Sequence, residues 1–462
     1  MIIDGWRLRT IVGLSLPIAL ILLLHNLMTL IGIALVGHLG DAAVAGIGIA
    51  GTLISMLVAL LFGIDTGVQA LVARRTGGGE IQKAGAVLVD GLAIGTGAGV
   101  ILAAAGYGVG PVLVPFVNAH PDVVEPALAY LNAALPMLPF VGASLAFSAY
   151  RNGTGMPRFS LLTVLIQFPC YVLFGYAFVF GAFGLPSLGT AGLGLAAALA
   201  SLIGLLVHVA ITAGVAPIPG LAGQPPSWAG IRLVLRIGVP IGLQQSLVNV
   251  GAMITLAIVS LIGTEAVAAM NVLLVLMLMS ILPASGMGVA AATLVGMALG
   301  RNDPRDARQW GWQVATLGML ALLAPCLCLA VAPHALLGLF VADPATADLA
   351  ATPLRLLAIG MSIDVLGRIL GFALRGAGAT RLVASLAFLL QWAVQLPLVW
   401  WAGIHLGFGL TGIAAVRLAL FVVETAILAL LWRSDFWSRP RPDHAPAARG
   451  PERRVPTPPS SR

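Results

Sequence analysis

Four long stretches of the chain contain no charged side chain, and each is long enough to cross a lipid bilayer. They are residues 42–64, 126–150, 238–264 and 266–300. A helix needs about 20 apolar residues to span the ~30 Å hydrocarbon core. In lipid, only helices and closed barrels satisfy every backbone hydrogen bond. Stretches of this length therefore predict an all-α membrane protein.

The composition supports this prediction and argues against several other classes of protein. The chain is 59% hydrophobic and 9% charged, whereas soluble domains have about 25% charged residues. The net charge of +7 comes from arginines in short loops and in the tail, which favours contact with membrane lipid and not with nucleic acid. Three cysteines inside apolar segments indicate neither a disulfide framework nor a metal site. No cofactor is expected.

Charged and turn residues divide the chain into twelve apolar segments, each predicted to be a transmembrane helix. Arginines and Lys83 flank the even-numbered loops, whereas acidic residues dominate the odd-numbered loops. Positive charges stay on the cytoplasmic side, so this unbroken alternation predicts that both termini are cytoplasmic. The segments lie near residues 10–37, 42–72, 84–117, 126–150, 159–184, 190–216, 233–262, 266–300, 309–341, 350–375, 382–404 and 408–433.

The chain repeats itself at a separation of 223 residues, the distance from Pro17 to Pro240. The other segments aligned in this register are 39–45 with 262–268 and 76–80 with 299–303. Each repeat holds six segments, an even number, so both halves enter the membrane from the same side. A duplicated unit of this kind predicts a transporter with two parallel six-helix lobes around a central cleft.

Changes in composition mark the expected domain boundaries. The first six segments form an N-terminal lobe at residues 1–216, and the last six form a C-terminal lobe at 233–433. The proline-rich stretch 217–232 is expected to be a stiff cytoplasmic linker. The tail 434–462 is rich in Pro, Arg and Ser, which predicts a disordered cytoplasmic segment.

Six short motifs occur in a fixed order along the chain. They are Leu14-Ser15-Leu16-Pro17, Gly37-His38-Leu39-Gly40, residues 73–80, Gly238-Val239-Pro240, residues 290–296 and residues 374–381. Over residues 10–433 the sequence resembles the multidrug and toxic compound extrusion (MATE) family of transporters. The resemblance implies export of organic cations, drugs or other amphipathic small molecules in exchange for inward H⁺ or Na⁺. It also implies a monomeric protein of the bacterial cytoplasmic membrane.

Two positions depart from the pattern of that family. Many MATE transporters have ion-coupling acids in the first and seventh helices, where this chain has Gly32 and Val248. Ion coupling therefore needs another residue if it uses a carboxylate. Asp364 matches an acidic position in the tenth helix of many members of the family.

Three ionisable side chains inside predicted helices are the candidates for ion coupling, because a charge at the bilayer centre costs ~2.5–3.5 kcal/mol. Asp364 lies eleven residues before Arg375, ~16 Å along a helix and therefore near the bilayer midplane. Arg368 lies four residues after Asp364, and a purely structural ion pair is the alternative. Asp65 lies ~13 Å deep, and interhelical hydrogen bonding explains it equally well.

Polar side chains in the first, second, seventh and eighth segments are the candidates for lining the cleft. They are His25, Asn26, Gln69, Gln244, Gln245, Asn249 and Asn271. Each could instead join neighbouring helices by hydrogen bonds, and the sequence leaves both possibilities open. The first and seventh helices are expected to face each other across the cleft. Asp90 and a pair formed by Arg417 and Glu424 are expected to be structural.

Other functions receive less support from the sequence. No phosphate-binding loop is present, so ATP is not the direct energy source. Metalloprotease and serine-hydrolase motifs are also absent from the sequence, and an enzyme is not expected. The remaining alternative is a flippase or exporter of a lipid-linked or metabolite substrate on a related fold. A flippase would be expected to show more deep cations than Arg368 and Arg417.

Overall fold

The computed structural model describes residues 4–117, 120–221, 223–338 and 344–438, and these are almost entirely helical. The helices of the first half are α1 (Gly5–Gly37), α2 (Asp41–Gly77), α3 (Ile81–Val117), α4 (Pro121–Ala134), α5 (Met137–Gly153), α6 (Arg158–Phe180) and α7 (Gly189–Ala210). Those of the second half are α8 (Trp228–Ser260), α9 (Thr264–Gly300), α10 (Pro304–Val331), α11 (Pro333–Leu337), α12 (Pro344–Gly376), α13 (Thr380–Leu389), α14 (Leu396–Trp400) and α15 (Gly409–Arg433).

Eleven helical segments in the described ranges are long and apolar enough to cross a membrane. The bent pair α4 and α5 supplies a twelfth span, so the prediction of twelve transmembrane helices is confirmed. The seventh and eighth spans are α8 and α9, the tenth is α12 and the twelfth is α15. The eleventh runs through α13 and α14 with two π-helical stretches, Leu390–Gln395 and Trp401–His405.

The fourth span differs from the straight helix expected over residues 126–150. Its axis bends by 49° between α4 and α5, where Leu135 and Pro136 separate the two helices. Proline has no backbone N–H, and its ring clashes with the preceding helical turn. The bend therefore follows from a residue that lies inside the predicted span.

The two halves have the same internal packing, as the sequence repeat predicts. In the first half α5 packs against α2, α3 and α7, and in the second half α12 packs against α9, α10 and α15. These are corresponding helices when the chain is divided into two sets of six spans. The prediction of two six-helix repeats with the same orientation is therefore confirmed.

The halves meet through crossed helix pairs. The first span, α1, packs against the eighth, α9, and the second, α2, packs against the seventh, α8. Ser246 of α8, for example, donates a hydrogen bond to the Met56 carbonyl of α2 at 3.0 Å. The main inter-lobe contacts are therefore not between the first and seventh spans, and the expectation that these two spans face each other across the cleft stays a prediction. Internal symmetry explains this crossed arrangement. Exchanging the two repeats replaces α1 by α8 and α9 by α2, so the pair of α1 and α9 becomes the pair of α8 and α2.

The connection between the halves is fastened to α3 by Asp90. This buried carboxylate accepts hydrogen bonds from the Ser227 backbone N–H at 2.6 Å and from the Ser227 hydroxyl at 3.3 Å. The Ser227 hydroxyl in turn accepts a bond from the Gly230 N–H, which caps the start of α8. That helix begins at Trp228, within the stretch 217–232 predicted as linker.

We expect Asp90→Ala to lower the free energy of unfolding by about 2 kcal/mol, because the Ser227 N–H loses its charge-assisted acceptor. Thermal unfolding of the purified protein in detergent measures this loss as a lower apparent melting temperature. Asp122→Asn, at the exposed first turn of α4, is the control and should leave stability near that of the wild type. An unchanged melting temperature in Asp90→Ala would show that the contact contributes nothing.

The chain after α15 turns back onto that helix. The Trp437 ring stacks on Trp432 with the centroids 4.2 Å apart, and its indole N–H donates to the Trp432 carbonyl at 2.9 Å. The predicted disordered tail 434–462 is described only as far as residue 438. The rest of that prediction lies outside the described residues.

Candidate functional site

The two lobes touch backbone to backbone at the end of the bundle that carries Arg74 and Arg301, which we call the arginine-rich end. A Cβ added to Gly77 of α2 would overlap the Met297 carbonyl of α9. A Cβ added to Gly300 of α9 would overlap the Arg74 carbonyl of α2. Gly77 and Gly300 are equivalent positions in the two repeats, so each lobe contributes one glycine that packs against a backbone carbonyl of the other lobe. Only glycine permits this approach, and the contact closes this end of the cleft.

A buried hydrogen-bond chain lies next to that glycine contact. Gln69 of α2 donates to the Val289 carbonyl at 3.0 Å and to the Thr293 hydroxyl at 2.9 Å, both on α9. The Thr293 hydroxyl donates onward to the Asn152 carbonyl at 3.0 Å. Gln69, a predicted cleft residue, therefore lies in the contact between the lobes. We call Gly77, Gly300, Gln69 and Thr293 together the gate.

An ion pair joins the lobes at the same end, and its acid, Asp306, also binds Arg301, the neighbour of Gly300. Arg7 of α1 donates to Asp306 at 2.6 Å and to Gln313 at 2.7 Å, both on α10. The Arg7 guanidinium also lies over the Trp310 ring, 4.5 Å from its centroid. These contacts join the first helix of one lobe to the second lobe. They add to the closure of the arginine-rich end.

Four of the predicted cleft residues make no hydrogen bond within the described part of the chain. They are Asn26, Gln245, Asn249 and Asn271, and each is at least partly exposed. They do not act as interhelical hydrogen-bonding residues in this structure, so their amide groups remain available to a ligand. His25 is exposed as well, and its Nδ1 lies 2.9 Å from the Ile21 carbonyl in its own helix.

The C-terminal lobe contains a cluster of five charged side chains on α12 and α15. Asp364 accepts two hydrogen bonds from Arg368, at 2.6 Å from Nη2 and 3.1 Å from Nε. Its side chain is 11% exposed, so the predicted ion pair exists and is largely buried. The other members are Arg375, Arg417 and Glu424, and both arginines interact electrostatically with Glu424. Three arginines and two acids give this cluster one surplus positive charge.

Two glutamines complete the cluster, and sequence reasoning missed both. Arg417 donates to the Gln395 side chain and not to Glu424, so the expected pair of Arg417 and Glu424 is not formed. Gln391 donates to the Val248 carbonyl at 3.1 Å. Both glutamines lie in the π-helical stretch Leu390–Gln395. Their spacing of four residues inside a predicted span was the signal that could have identified them.

The remaining candidates are divided between the lobes. Gln244, predicted for the cleft, is buried beside the cluster and accepts a long hydrogen bond of 3.5 Å from Arg375. Asp65 lies on α2 of the other lobe and is half-buried. It has neither an ion-pair nor a hydrogen-bond partner among the residues the structure describes. The structure thus pairs Asp364 with Arg368, places Gln244 beside Arg375 of the same cluster, and leaves Asp65 apart.

The position of the missing acid in α1 has a structural explanation. A Cβ added to Gly32 would lie 2.5 Å from the Tyr171 hydroxyl of α6. The tyrosine therefore occupies the space that a side chain at this position would need. An aspartate at this position would require the Tyr171 side chain to move.

Comparisons with known proteins agree with this architecture. The MatE family model matches the chain twice, at residues 17–177 and 240–401, and the two matches start 223 residues apart, as the sequence repeat does. A probable multidrug resistance protein NorM of Bradyrhizobium diazoefficiens is 30% identical over 410 residues, 87% of each chain. A protein with the same description from Rhodopseudomonas palustris is 29% identical and covers 93% of this chain and 92% of its own.

A solved structure shows the same fold. It is described as the outward-facing conformation of a multidrug resistance MATE family transporter, and it matches with a TM-score of 0.84 at 19% identity. The match covers 92% of this chain and 95% of that chain. Both lobes, their duplication and their helix packing are therefore accounted for by one family. The chain belongs to the MatE family, the multidrug and toxic compound extrusion transporters, and is a multi-pass membrane transporter and not an enzyme.

Proposed function

We propose that this chain is a secondary-active antiporter that exports amphipathic small molecules, including organic cations and drugs, in exchange for inward H⁺ or Na⁺. The observation that carries the proposal is the buried pair of Asp364 and Arg368 in the C-terminal lobe. Ionisable groups at this depth are costly and mark ion paths in transporters. Unpaired amides on α1, α8 and α9 supply polar groups for a substrate.

The proposed orientation puts the arginine-rich end in the cytoplasm, in line with the positive-inside rule. The gate then closes the cytoplasmic side, and the structure corresponds to an outward-facing state. The membrane is proposed to be the bacterial cytoplasmic membrane, with a monomer of two lobes, 1–216 and 233–433, as the working unit.

Transport in this proposal alternates between two states of the gate. In the outward-facing state an ion from outside competes with Arg368 for the Asp364 carboxylate. An ion can shift the equilibrium toward the inward-facing state only if it binds the two states differently. The Arg368 guanidinium supplies this difference in ion affinity if its pair with Asp364 loosens in one of the two states. Separation of the gate then opens the cleft to a substrate on the cytoplasmic side.

Cysteine labelling tests the orientation. In a variant without Cys170, Cys326 and Cys328, single cysteines at Gly78 and Asn302 should react with a membrane-impermeant maleimide only from the cytoplasmic side. Cysteines at Asp122 and Ala345 should react only from outside. Labelling of Gly78 and Asn302 from opposite sides would contradict the parallel repeat.

Transport into inside-out vesicles tests the function. Ethidium, a fluorescent organic cation, should accumulate when the vesicle lumen is acidic or rich in Na⁺ relative to the outside. Dissipating the imposed gradient should abolish accumulation, and the ion that drives it identifies the coupling ion. Accumulation that needs ATP, or none under either gradient, would contradict the antiporter proposal.

A further inference from the structure

We propose that a cavity inside the C-terminal lobe binds amphipathic organic anions, with a carboxylate at Arg417 and an apolar body against α9 and α15. The cavity has a volume of about 140 Å³ and lies among α8, α9, α12, α15 and the eleventh span. This inference rests on the proposed export function and extends it to a substrate class of opposite charge. It concerns the interior of one lobe and not the cleft between the lobes.

Most of the cavity wall is apolar. Leu273 and Met277 of α9 and Leu410 and Ile413 of α15 line it, and all four are buried. Leu274 also lines the cavity but is exposed, so part of the wall lies at the surface of the helix bundle. Met side chains adapt to ligands of different shape. Such a wall suits an aromatic or aliphatic body and offers no specific polar contact to it.

The polar part of the cavity consists chiefly of Arg417, Gln391 and Gln395. A guanidinium has five N–H donors, and within the described residues Arg417 makes a hydrogen bond only to Gln395. No acid forms an ion pair with Arg417 in that part of the chain. Arg417 is eight residues from the start of α15 at Gly409, ~12 Å along the helix. Its free donors are therefore deep in the span and border an apolar cavity.

Charge balance favours an anion as the occupant. Arg368 already pairs with Asp364, so Glu424 is the one acid of the cluster left to balance the two positive charges of Arg375 and Arg417. A buried charge without a partner is costly, and one bound carboxylate would bring the cluster from a surplus of one positive charge to neutrality. A bound cation would raise the surplus to two. Guanidinium and carboxylate also match in geometry, since two parallel N–H···O bonds can form.

Binding to the purified full-length protein in lipid nanodiscs tests this site, with empty nanodiscs as the reference. Isothermal titration calorimetry compares three probes with one apolar body: 2-naphthoate, 2-naphthamide and 2-naphthylmethylammonium. We expect 2-naphthoate to bind roughly tenfold or more tightly than the other two, as a hydrogen bond to a charged group allows. Dodecanoate distinguishes the source of the carboxylate. Tighter binding of dodecanoate would assign the site to fatty acids from the bilayer, and tighter binding of 2-naphthoate to compact soluble anions.

Variants locate the binding to the cavity. Arg417→Gln should remove the preference for the anion, and Arg417→Lys should keep part of it. Arg381→Gln removes an exposed arginine of the same lobe and should leave all three affinities unchanged. If Arg417→Gln does not fold, Ala252→Trp, which narrows the cavity at an exposed lining position, should weaken 2-naphthoate binding by roughly tenfold.

Two results would overturn the inference. One is equal or tighter binding of the amide or ammonium probe by the wild type. The other is an anion preference that persists in Arg417→Gln or is unaffected by Ala252→Trp. These measurements use no ion gradient, so they separate this site from the antiporter proposal. Gradient-driven ethidium export without anion binding would refute only the site, and anion binding without any gradient-driven transport would refute only the antiporter.

Discussion

Replacing Asp364 by asparagine is expected to reduce gradient-driven export by roughly tenfold or more, while substrate binding without a gradient stays near the wild-type level. Gly32 and Val248 stand where many MATE transporters have coupling acids, so Asp364 is the proposed ion-exchanging carboxylate. Asparagine keeps the size of the side chain and can still accept a hydrogen bond from Arg368. It cannot exchange a proton or balance the charge of Na⁺. Transport in vesicles with imposed H⁺ and Na⁺ gradients measures the loss.

A second variant separates lost coupling from lost stability. Removing one partner of a buried ion pair can cost about 3–5 kcal/mol, because the other charge remains without a partner. Asp364→Asn leaves Arg368 in that position, whereas the double variant Asp364→Asn with Arg368→Gln removes both charges. We expect the double variant to recover much of the thermal stability and none of the gradient-driven export. Recovery of export together with stability would assign the pair a structural role.

Glu424→Gln is the matched control in the same cluster. Glu424 is half-buried and interacts with the same arginines, but it forms no ion pair within 4.0 Å in the described ranges. Its neutralisation should preserve most of the export. Normal export by Asp364→Asn at normal expression would move the coupling role to Asp65 or away from carboxylates.

The fold could be predicted from the sequence because lipid leaves the backbone few choices. Uncharged stretches above the length of a bilayer crossing must be helical, and the 223-residue repeat then determines how many lobes there are and how they are oriented. Even the bend of the fourth span had a visible cause in Pro136. The apolar pattern does not show which neighbouring helix each helix face contacts. The contact of α1 with α9 and of α2 with α8 therefore had to come from the structure.

The candidate site was predicted only in part for the same reason. The sequence shows that Gln69 and Asn249 are polar residues in apolar helices, but it does not show which neighbour each one meets. In the structure Gln69 bonds to Thr293 across the gate, whereas Asn249 makes no hydrogen bond within the described residues. The i,i+4 spacing of Asp364 and Arg368 was enough to predict their pair. The bond from Arg417 to Gln395 depends on a π-helical stretch that no residue type marks.

Leucine at Gly77 or at Gly300 is expected to hold the transporter open at the arginine-rich end and to reduce export by roughly tenfold or more. A side chain at either position would overlap a backbone carbonyl of the opposite lobe, and backbone cannot move aside as a flexible side chain can. Leucine has a higher helix propensity than glycine, so the helices themselves are not weakened. The penalty falls on the closed state of the gate alone.

Thiol labelling detects that change of state directly. Ala73 is fully buried in the contact between α2 and α9, so a cysteine at this position should be protected from a maleimide in the parent protein. The same cysteine should react rapidly in Gly77→Leu and in Gly300→Leu. Gly97→Leu adds the same side chain to α3 where a Cβ would meet nothing within 4 Å, and it should change neither labelling nor export. Because transport needs both states, a protein that labels rapidly at Ala73 and still exports normally would show that the glycine contact is not the gate.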